Sequence, residues 1–403
     1  MTALSSFSSG SSGGIDGLRP IHLMEMTGKE SLEAGQRLRT SLTKLGNLVL
    51  RGGIPSQVRP AFYGASLCGL RKNDNGVRPI AVGLTYRRLI SKAAVKKYSS
   101  ALGAKFRPVQ VGYGTPGGCE AAVHAVRQYV SRNHEEQKSL IKLDMRNAFN
   151  CMRRDVILNE VRTHLPGLYH LVWQAYAAAT PLFYHTTELT SATGVQQGDP
   201  LGPALFSLGV HKAASAVTSE LNVWYLDDAT IGGNAASVLQ DLEVLIPSLA
   251  SVGLEVNSSK CELLPTSCPQ RPASVTDSMR EELHNVLPEC KTVTSGEAMV
   301  LGAPLTDQAI KPALVKKRDE LINMTRRLAH VDPHTAFFLL SKSQGMPKFL
   351  YLLRTSQAFK ERNSLEELDN IVQTAAAEIL NVNFTDLAWG QATLPVSFGG
   401  LGL

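Results

Sequence analysis

The sequence predicts an α+β fold in which a mixed core of strands and helices carries a helical C-terminal bundle. Three observations predict it. Two strand-like runs, SLCGLRK at 66–72 and VRPIAV at 77–82, flank the turn-forming NDNG at 73–76, a hairpin signature. The apolar run SLIKLDM at 139–145 reads as a buried strand ending in an acid. From residue 311 onward the apolar spacing turns helical, over 312–328, 335–343 and 365–380.

Taken in order, the chain opens on MTALSSFSSGSSGG, a Gly/Ser-rich segment expected to be disordered or loosely docked. It has neither the charged n-region nor the apolar h-region of a secretory signal. After the hairpin, 86–98 has helical character, and Arg88, Lys92 and Lys96 recur every four residues on one face. Residues 110–118 read as a Gly-rich turn and 120–130 as an Ala/Val-rich helix. The stretch 155–176 is mostly helical, and the Gly/Pro-rich 194–203 precedes another apolar helix. NVWYL at 222–226 is a strand running into Asp227 and Asp228 and out through ATIGG at 229–233. A helix over 239–252 and a strand, GLEVN, at 253–257 follow. Residues 163–187 hold no acid, Lys or Arg, yet His164, Pro166, His170, Gln174, Pro181 and His185 interrupt them. That predicts a buried helix followed by a strand, not a membrane span.

At 403 residues and 43% hydrophobic content, the chain can bury a core across two or three subdomains. Its cysteines form no C-x-x-C pair and no Cys/His knuckle, which excludes a sequence-evident zinc site or secreted disulfide framework and fits a reducing compartment. The net charge of +6 is modest, but its distribution is not even. Between Arg51 and Arg107 twelve basic residues stand against one acid, Asp74. Such one-sidedness suits a polyanion, with a solvated surface as the ordinary alternative.

The acids carry the chemistry. A carboxylate at the end of a buried strand, as Asp144 is, is costly unless paired or bound to a cation. Adjacent residues in a strand point to opposite faces, so Asp227 and Asp228 can converge on one site only at a hairpin tip. Three carboxylates meeting at one end of a sheet would make a hard oxygen-ligand site suited to Mg²⁺. Two such ions, about 3.5–4 Å apart, can activate an attacking 3′-oxygen and stabilise a leaving pyrophosphate. Taken singly each acid has an ordinary explanation, since Asp-Asp is common in turns and a strand-end Asp can cap a helix.

In context these acids resemble a known family. IKLDMRNAFN (141–150), GVQQGDPLGPALFSL (194–208) and WYLDD (224–228) are similar, in order and spacing, to the successive palm motifs of reverse transcriptases. GLEVNSSKCELL (253–264) resembles the next motif, and VLGAPL (300–305) the primer-grip hairpin. RKNDNGVRPIAVGLTYRRLISK (71–92) resembles the fingers motif, and QVGYGTPGGCEAAV (110–123) the Q-x-G-F turn before the palm. GGIDGLRPIHL (13–23) and MPKFLYLLRT (346–355) resemble the entry segment and thumb of the non-LTR, LINE-type, retrotransposon enzymes.

The resemblance implies a right-hand polymerase: entry segment and fingers over 1–138, a palm with an antiparallel sheet over 139–310, and a helical thumb over 311–403. It implies that Asp144 and Asp227 bind two Mg²⁺ ions, or Mn²⁺ in their place, with Asp228 auxiliary, and that Lys260 protonates the leaving pyrophosphate. Phe149 would be a steric gate against the 2′-hydroxyl, with ordinary core packing as the alternative. Gln197 and Gly198 would line the nucleotide pocket, while Asp199 is expected to cap a helix. Arg71, Lys72 and Arg78 would grip the triphosphate; which of Arg71 and Lys72 faces inward is left to strand register. Arg88, Lys92 and Lys96 would face template phosphates. The implied partners are an RNA template, a DNA primer and dNTPs, with no membrane. The implied location is intracellular, in the nucleus for an active retrotransposon polymerase and otherwise in the cytoplasm. No endonuclease or CCHC knuckle is recognisable, so a polymerase fragment of a longer element, truncated after 403, is expected. Two rival readings remain. A catalytically inactive, domesticated RNA-binding protein is the first. A viral RNA-dependent RNA polymerase is the second, disfavoured by QGDPLGP, YLDD and Phe149.

Overall fold

A computed structural model describes residues 2–72, 75–132, 138–265 and 281–403. Its strands, in chain order, are β1 (Ala65–Arg71), β2 (Val77–Gly83), β3 (Lys138–Leu143), β4 (Thr180–Tyr184), β5 (Thr187–Ser191), β6 (Leu221–Tyr225), β7 (Asp228–Asn234), β8 (Glu262–Pro265), β9 (Lys291–Thr292), β10 (Met299–Val300) and β11 (Ala303–Pro304). The helices that position them are α1 (Pro20–Met26), α2 (Leu32–Leu50), α3 (Arg59–Tyr63), α4 (Thr85–Phe106), α5 (Gly118–Ser131), α6 (Ala148–Cys151), α7 (Arg154–His164), α8 (Tyr169–Tyr176), α9 (Gly202–Ser215) and α10 (Ala235–Ser251). A C-terminal set follows: α11 (Asp307–Leu328), α12 (Pro333–Leu339), α13 (Leu350–Thr355), α14 (Arg362–Leu380) and α15 (Asp386–Ala392). The chain thus mixes helix and sheet, as expected, and divides into two units interleaved along the sequence.

The first unit comprises Met1–Gly118, Leu143–Cys261 and Asp277–Cys290. One four-stranded sheet in it has the order β2-β1-β4-β5, with β1 antiparallel to β2 and parallel to β4. The β1–β2 register pairs Arg71 with Val77 and Ala65 with Gly83, which is the hairpin that 66–82 predicts. Two residues of its turn, 73 and 74, lie outside the described residues. Helix α4 runs two turns beyond the expected 86–98, to Phe106, which is fully buried. The helical stretch 155–176 divides into α7 and α8 around Pro166, because proline cannot continue the α7 hydrogen-bond ladder. Helix α8 is largely buried and β4 follows it, and among the described residues no helix is long and apolar enough to cross a membrane.

Two expectations fail here. GLEVN at 253–257 is no strand: it makes one bridge, Val256 to Met145, after Gly253 closes α10 at φ 86°. The N-terminal segment is not loosely held either. Leu4 and Phe7 are buried against Leu23, so its apolar residues outweigh its Gly/Ser content.

The second unit comprises Cys119–Lys142, Glu262–Thr276 and Lys291–Leu403. In it β3 pairs antiparallel with β8, which pairs parallel with β9. The predicted LGAPL hairpin is β10–β11, turning through Leu301 and Gly302, both at positive φ. Helix α11 buries Ile310, Leu314, Leu321 and Leu328, a spacing of four and seven residues that puts them on one face. That face packs with Leu340, Phe349, Leu368, Val372 and Trp389. The helix expected over 335–343 starts at Pro333, where Asp332 caps it, and passes into a π-helical turn at Leu340–Gln344.

Candidate active site

Asp144 comes immediately after β3, and the segment that was expected to be a strand holds it. The Asn257 backbone N–H donates to Asp144 O at 2.8 Å, and Asn257 Nδ2 to Asp144 Oδ2 at 3.2 Å. Losing the strand therefore frees Asn257 to orient the carboxylate. Strands β6 and β7 pair Tyr225 with Asp228, which leaves Leu226 and Asp227 as a two-residue tip. Leu226 takes φ 57° there, a turn conformation common in hairpins and costly for a branched side chain. Asp227 is thereby set in the turn, while Asp228 is the exposed first residue of β7.

These residues line an open cleft of about 900 Å³ together with Arg71, Lys72, Arg78, Phe149, Gln197, Asn257 and Lys260. Burial above all, and then the Asp144 charge, hold the Asp227 carboxyl above its ordinary range; a backbone N–H, Arg78 and Lys72 pull it back. Asp144 and Asp227 are thus neighbouring acids in the cleft. Among the described residues no three of His, Cys, Asp and Glu form a ready-made metal cluster. Asp228, the first residue of β7, lines the same cleft. Of the two hairpin cations, Arg71 folds back on its own turn, donating to Asn75 Oδ1 at 2.6 Å. Lys72 is the one whose charge bears on Asp227.

Phe149 both packs and faces the cleft. Its ring stacks on buried Phe206 at 4.6 Å with planes 18° apart. The loop after it is stitched down by backbone: Val195 N–H donates to Phe149 O at 2.7 Å, and Ala81 N–H of β2 donates to Gln197 O at 2.6 Å. Gly198, at φ 124°, is needed because a Cβ there would lie 2.4 Å from Ala81 O. Among the described residues Gln197 lines the cleft and Gly198 does not, and Gln197 Oε1 is buried without a hydrogen-bond partner there.

Asp199 makes the cap-type bond expected of it and more. Its Oδ1 accepts from Leu201 N–H at 3.0 Å in the turn that leads into α9. Asp199 Oδ2 also pairs with Arg87 Nη2 at 2.7 Å and accepts from Tyr176 Oη at 2.6 Å, all deeply buried. Arg87 also donates to Tyr63 O and Gln196 Oε1, at 2.6 and 2.7 Å. Burial opposes its charge, but Asp199 outweighs that and raises the guanidinium pKa. A second buried cation, Arg154, donates to Gly194 O at 2.9 Å and Ser191 O at 3.0 Å.

Residues 70–285, more than half of the chain, match the family Reverse transcriptase (RNA-dependent DNA polymerase). The chain belongs to the reverse transcriptase family. It is 27% identical over 367 residues to the retrotransposable element SLACS 132 kDa protein of Trypanosoma brucei gambiense, covering 88% of this chain and 29% of that protein. To the Pol polyprotein of the type-2 retrotransposable element R2DM of Drosophila melanogaster it is 27% identical over 277 residues, 62% of this chain and 24% of the relative. The R2 Pol polyprotein of Popillia japonica is 25% identical over 215 residues, 47% of this chain and 29% of its own length. These likenesses support the non-LTR retrotransposon kind, and the chain spans less than a third of each relative.

In this reverse transcriptase domain the cations of α4 are divided. Arg87, part of the basic run by sequence, is buried in the core. Arg88 donates to Ser12 O at 2.6 Å, and Lys92 to Ser6 O at 2.9 Å, with both cations over the Phe7 ring. The structure thus places Arg88 and Lys92 against the N-terminal segment, away from the cleft lining, and leaves Lys96 exposed. Asn257 and Arg87 were missed by sequence reasoning. Only the RR doublet and the loop asparagine hinted at them, and neither signal is specific.

Proposed function

We propose that this chain is the polymerase domain of a non-LTR retrotransposon protein, copying an RNA template into DNA from a DNA primer and dNTPs at the cleft of Asp144 and Asp227. One observation carries the proposal: two carboxylates, Asp144 and Asp227, line one cleft with Arg78 and Lys72, inside the segment matched to the family. The fingers, palm and thumb of a right-hand polymerase are the arrangement this reading assigns to the chain.

The donor set fits a hard divalent cation, because Asp227 is half-buried beside a second acid, and its carboxyl stays raised although Arg78 and Lys72 oppose that. Asp144 and Asp227 would hold Mg²⁺, or Mn²⁺, with Asp228 auxiliary and the remaining positions left to phosphates and water. Bound there, two such ions would supply activation of the primer 3′-oxygen and charge neutralisation at the leaving pyrophosphate. The chain's own groups do the rest. Arg78 and Lys72 pair with triphosphate oxygens, Gln197 Oε1 accepts from the incoming nucleotide, and Lys260 delivers a proton to pyrophosphate. Phe149, braced by Phe206, closes the space that a 2′-hydroxyl would occupy.

Primer extension on an RNA template with Mg²⁺ and dNTPs tests this. Wild type should extend and Asp227→Asn should not. Tight RNA binding with no extension by wild type would favour an inactive binding protein, and exclusive use of rNTPs would overturn the reading.

A further inference from the structure

We infer that Gln110 is a positioning residue that sets the catalytic hairpin tip, acting through the peptide groups of Leu226. The inference rests on the polymerase reading above and deepens it.

Gln110 is fully buried, and its side chain is used entirely on backbone. Its Nε2 donates to Leu226 O at 3.0 Å, and its Oε1 accepts from Leu226 N–H at 2.8 Å and from Gly112 N–H at 2.9 Å. The side-chain amide thus pairs with both polar groups of one residue, as a neighbouring strand would. It prolongs a backbone ladder that ends just before the tip: Trp224 N–H donates to Val109 O, and Val111 N–H to Trp224 O, both at 2.8 Å. Strand β6 ends at Tyr225, and the Gln110 amide supplies the next rung on this side, at Leu226.

Leu226 needs that rung. Its positive φ is disfavoured for a non-glycine residue and persists only where surrounding bonds over-determine it. The rotation at Leu226 is what sets Asp227 in the turn and Asp228 on the strand. Gly112 is the second part of the device, because a Cβ there would stand 2.5 Å from Leu226 N. A Gln two residues before a Gly is therefore a steric and hydrogen-bonding requirement of the tip.

Gln110→Ala, Gln110→Glu and Gly112→Ala, each in the full chain, test this against wild type. Gln110→Glu keeps the volume but cannot donate to Leu226 O when ionised, so it serves if the alanine variant does not fold. Hydrogen–deuterium exchange should quicken in peptides covering 222–229 and stay unchanged elsewhere. Mn²⁺ titration by electron paramagnetic resonance, without nucleotide, should show affinity weakened by about 10–100-fold. In extension assays kcat should fall over a similar range while the KM for dNTP moves less than about twofold. Unchanged exchange at the tip, or a uniform rise across the chain, would overturn the inference. An inactive wild type would instead sink the polymerase reading, and the exchange measurement would still decide the role of Gln110.

Discussion

The loop at 194–203 and the hairpin tip at Leu226–Asp228 border one cleft, yet they are held in opposite ways. Buried cations anchor the loop: Arg87 on Asp199 and Gln196, Arg154 on Gly194. At the tip, Leu226 is held by a neutral amide, that of Gln110. The difference follows from what each must leave free. A guanidinium ion-paired to Asp227, as Arg87 is to Asp199, would compete with the divalent cation that the proposed chemistry requires. Behind the loop no such conflict arises, because Asp199 faces the core, and a buried ion pair there confers a fixed geometry.

Four substitutions would break or sharpen this contrast. The largest effect is expected from Asp227→Asn, which should lower extension on the order of 10³-fold with the circular dichroism spectrum unchanged. Next is Arg87→Met, which strands Asp199, Gln196 and the Tyr63 carbonyl in the core. It should cost about 3–5 kcal/mol in urea denaturation, and Arg87→Met with Asp199→Leu should recover part of that loss. A double variant no more stable than the single would show that the charge balance is not what matters there.

Phe149→Ala should act mainly on selectivity. Removing a ring stacked on Phe206 forfeits about 0.5–1.5 kcal/mol of pair energy, and incorporation of rNTPs relative to dNTPs should rise. Unchanged sugar discrimination would return Phe149 to a packing role.

The smallest effect concerns Asp241, a carboxylate held among the described residues by hydrogen bonds from Thr218 and Ser219. Burial opposes its charge, but donors from Ser219 and Thr218 outweigh that and lower its pKa below the ordinary 3.8. A depressed folded pKa contributes stability that is present above 3.8 and lost as pH falls through the folded value. The stability gap between wild type and Asp241→Asn should therefore narrow as pH drops below 3.8, measured by thermal unfolding. Asp227 has the opposite sign, since its raised pKa favours folding when it is protonated, so Asp227→Asn should not destabilise the cation-free protein at neutral pH.

By itself the sequence determined the α+β class, the β1–β2 and β6–β7 hairpins, the LGAPL turn, and the acids that line the cleft. All of these are local signals, because a turn, a period or a strand end is written within a few residues. Only the tertiary structure decided which basic residues meet solvent and which lie inside. Arg87 and Arg88 are adjacent, yet one pairs with Asp199, 112 residues away, and the other with the N-terminal segment. The same holds at the tip: Gln110 reaches Leu226 across 116 residues. It also holds for GLEVN, where a strand-like pattern yields to Asn257 holding Asp144. The physical reason is common to them. A buried polar group is tolerated only where its partner stands, and that partner's position is a property of the folded chain.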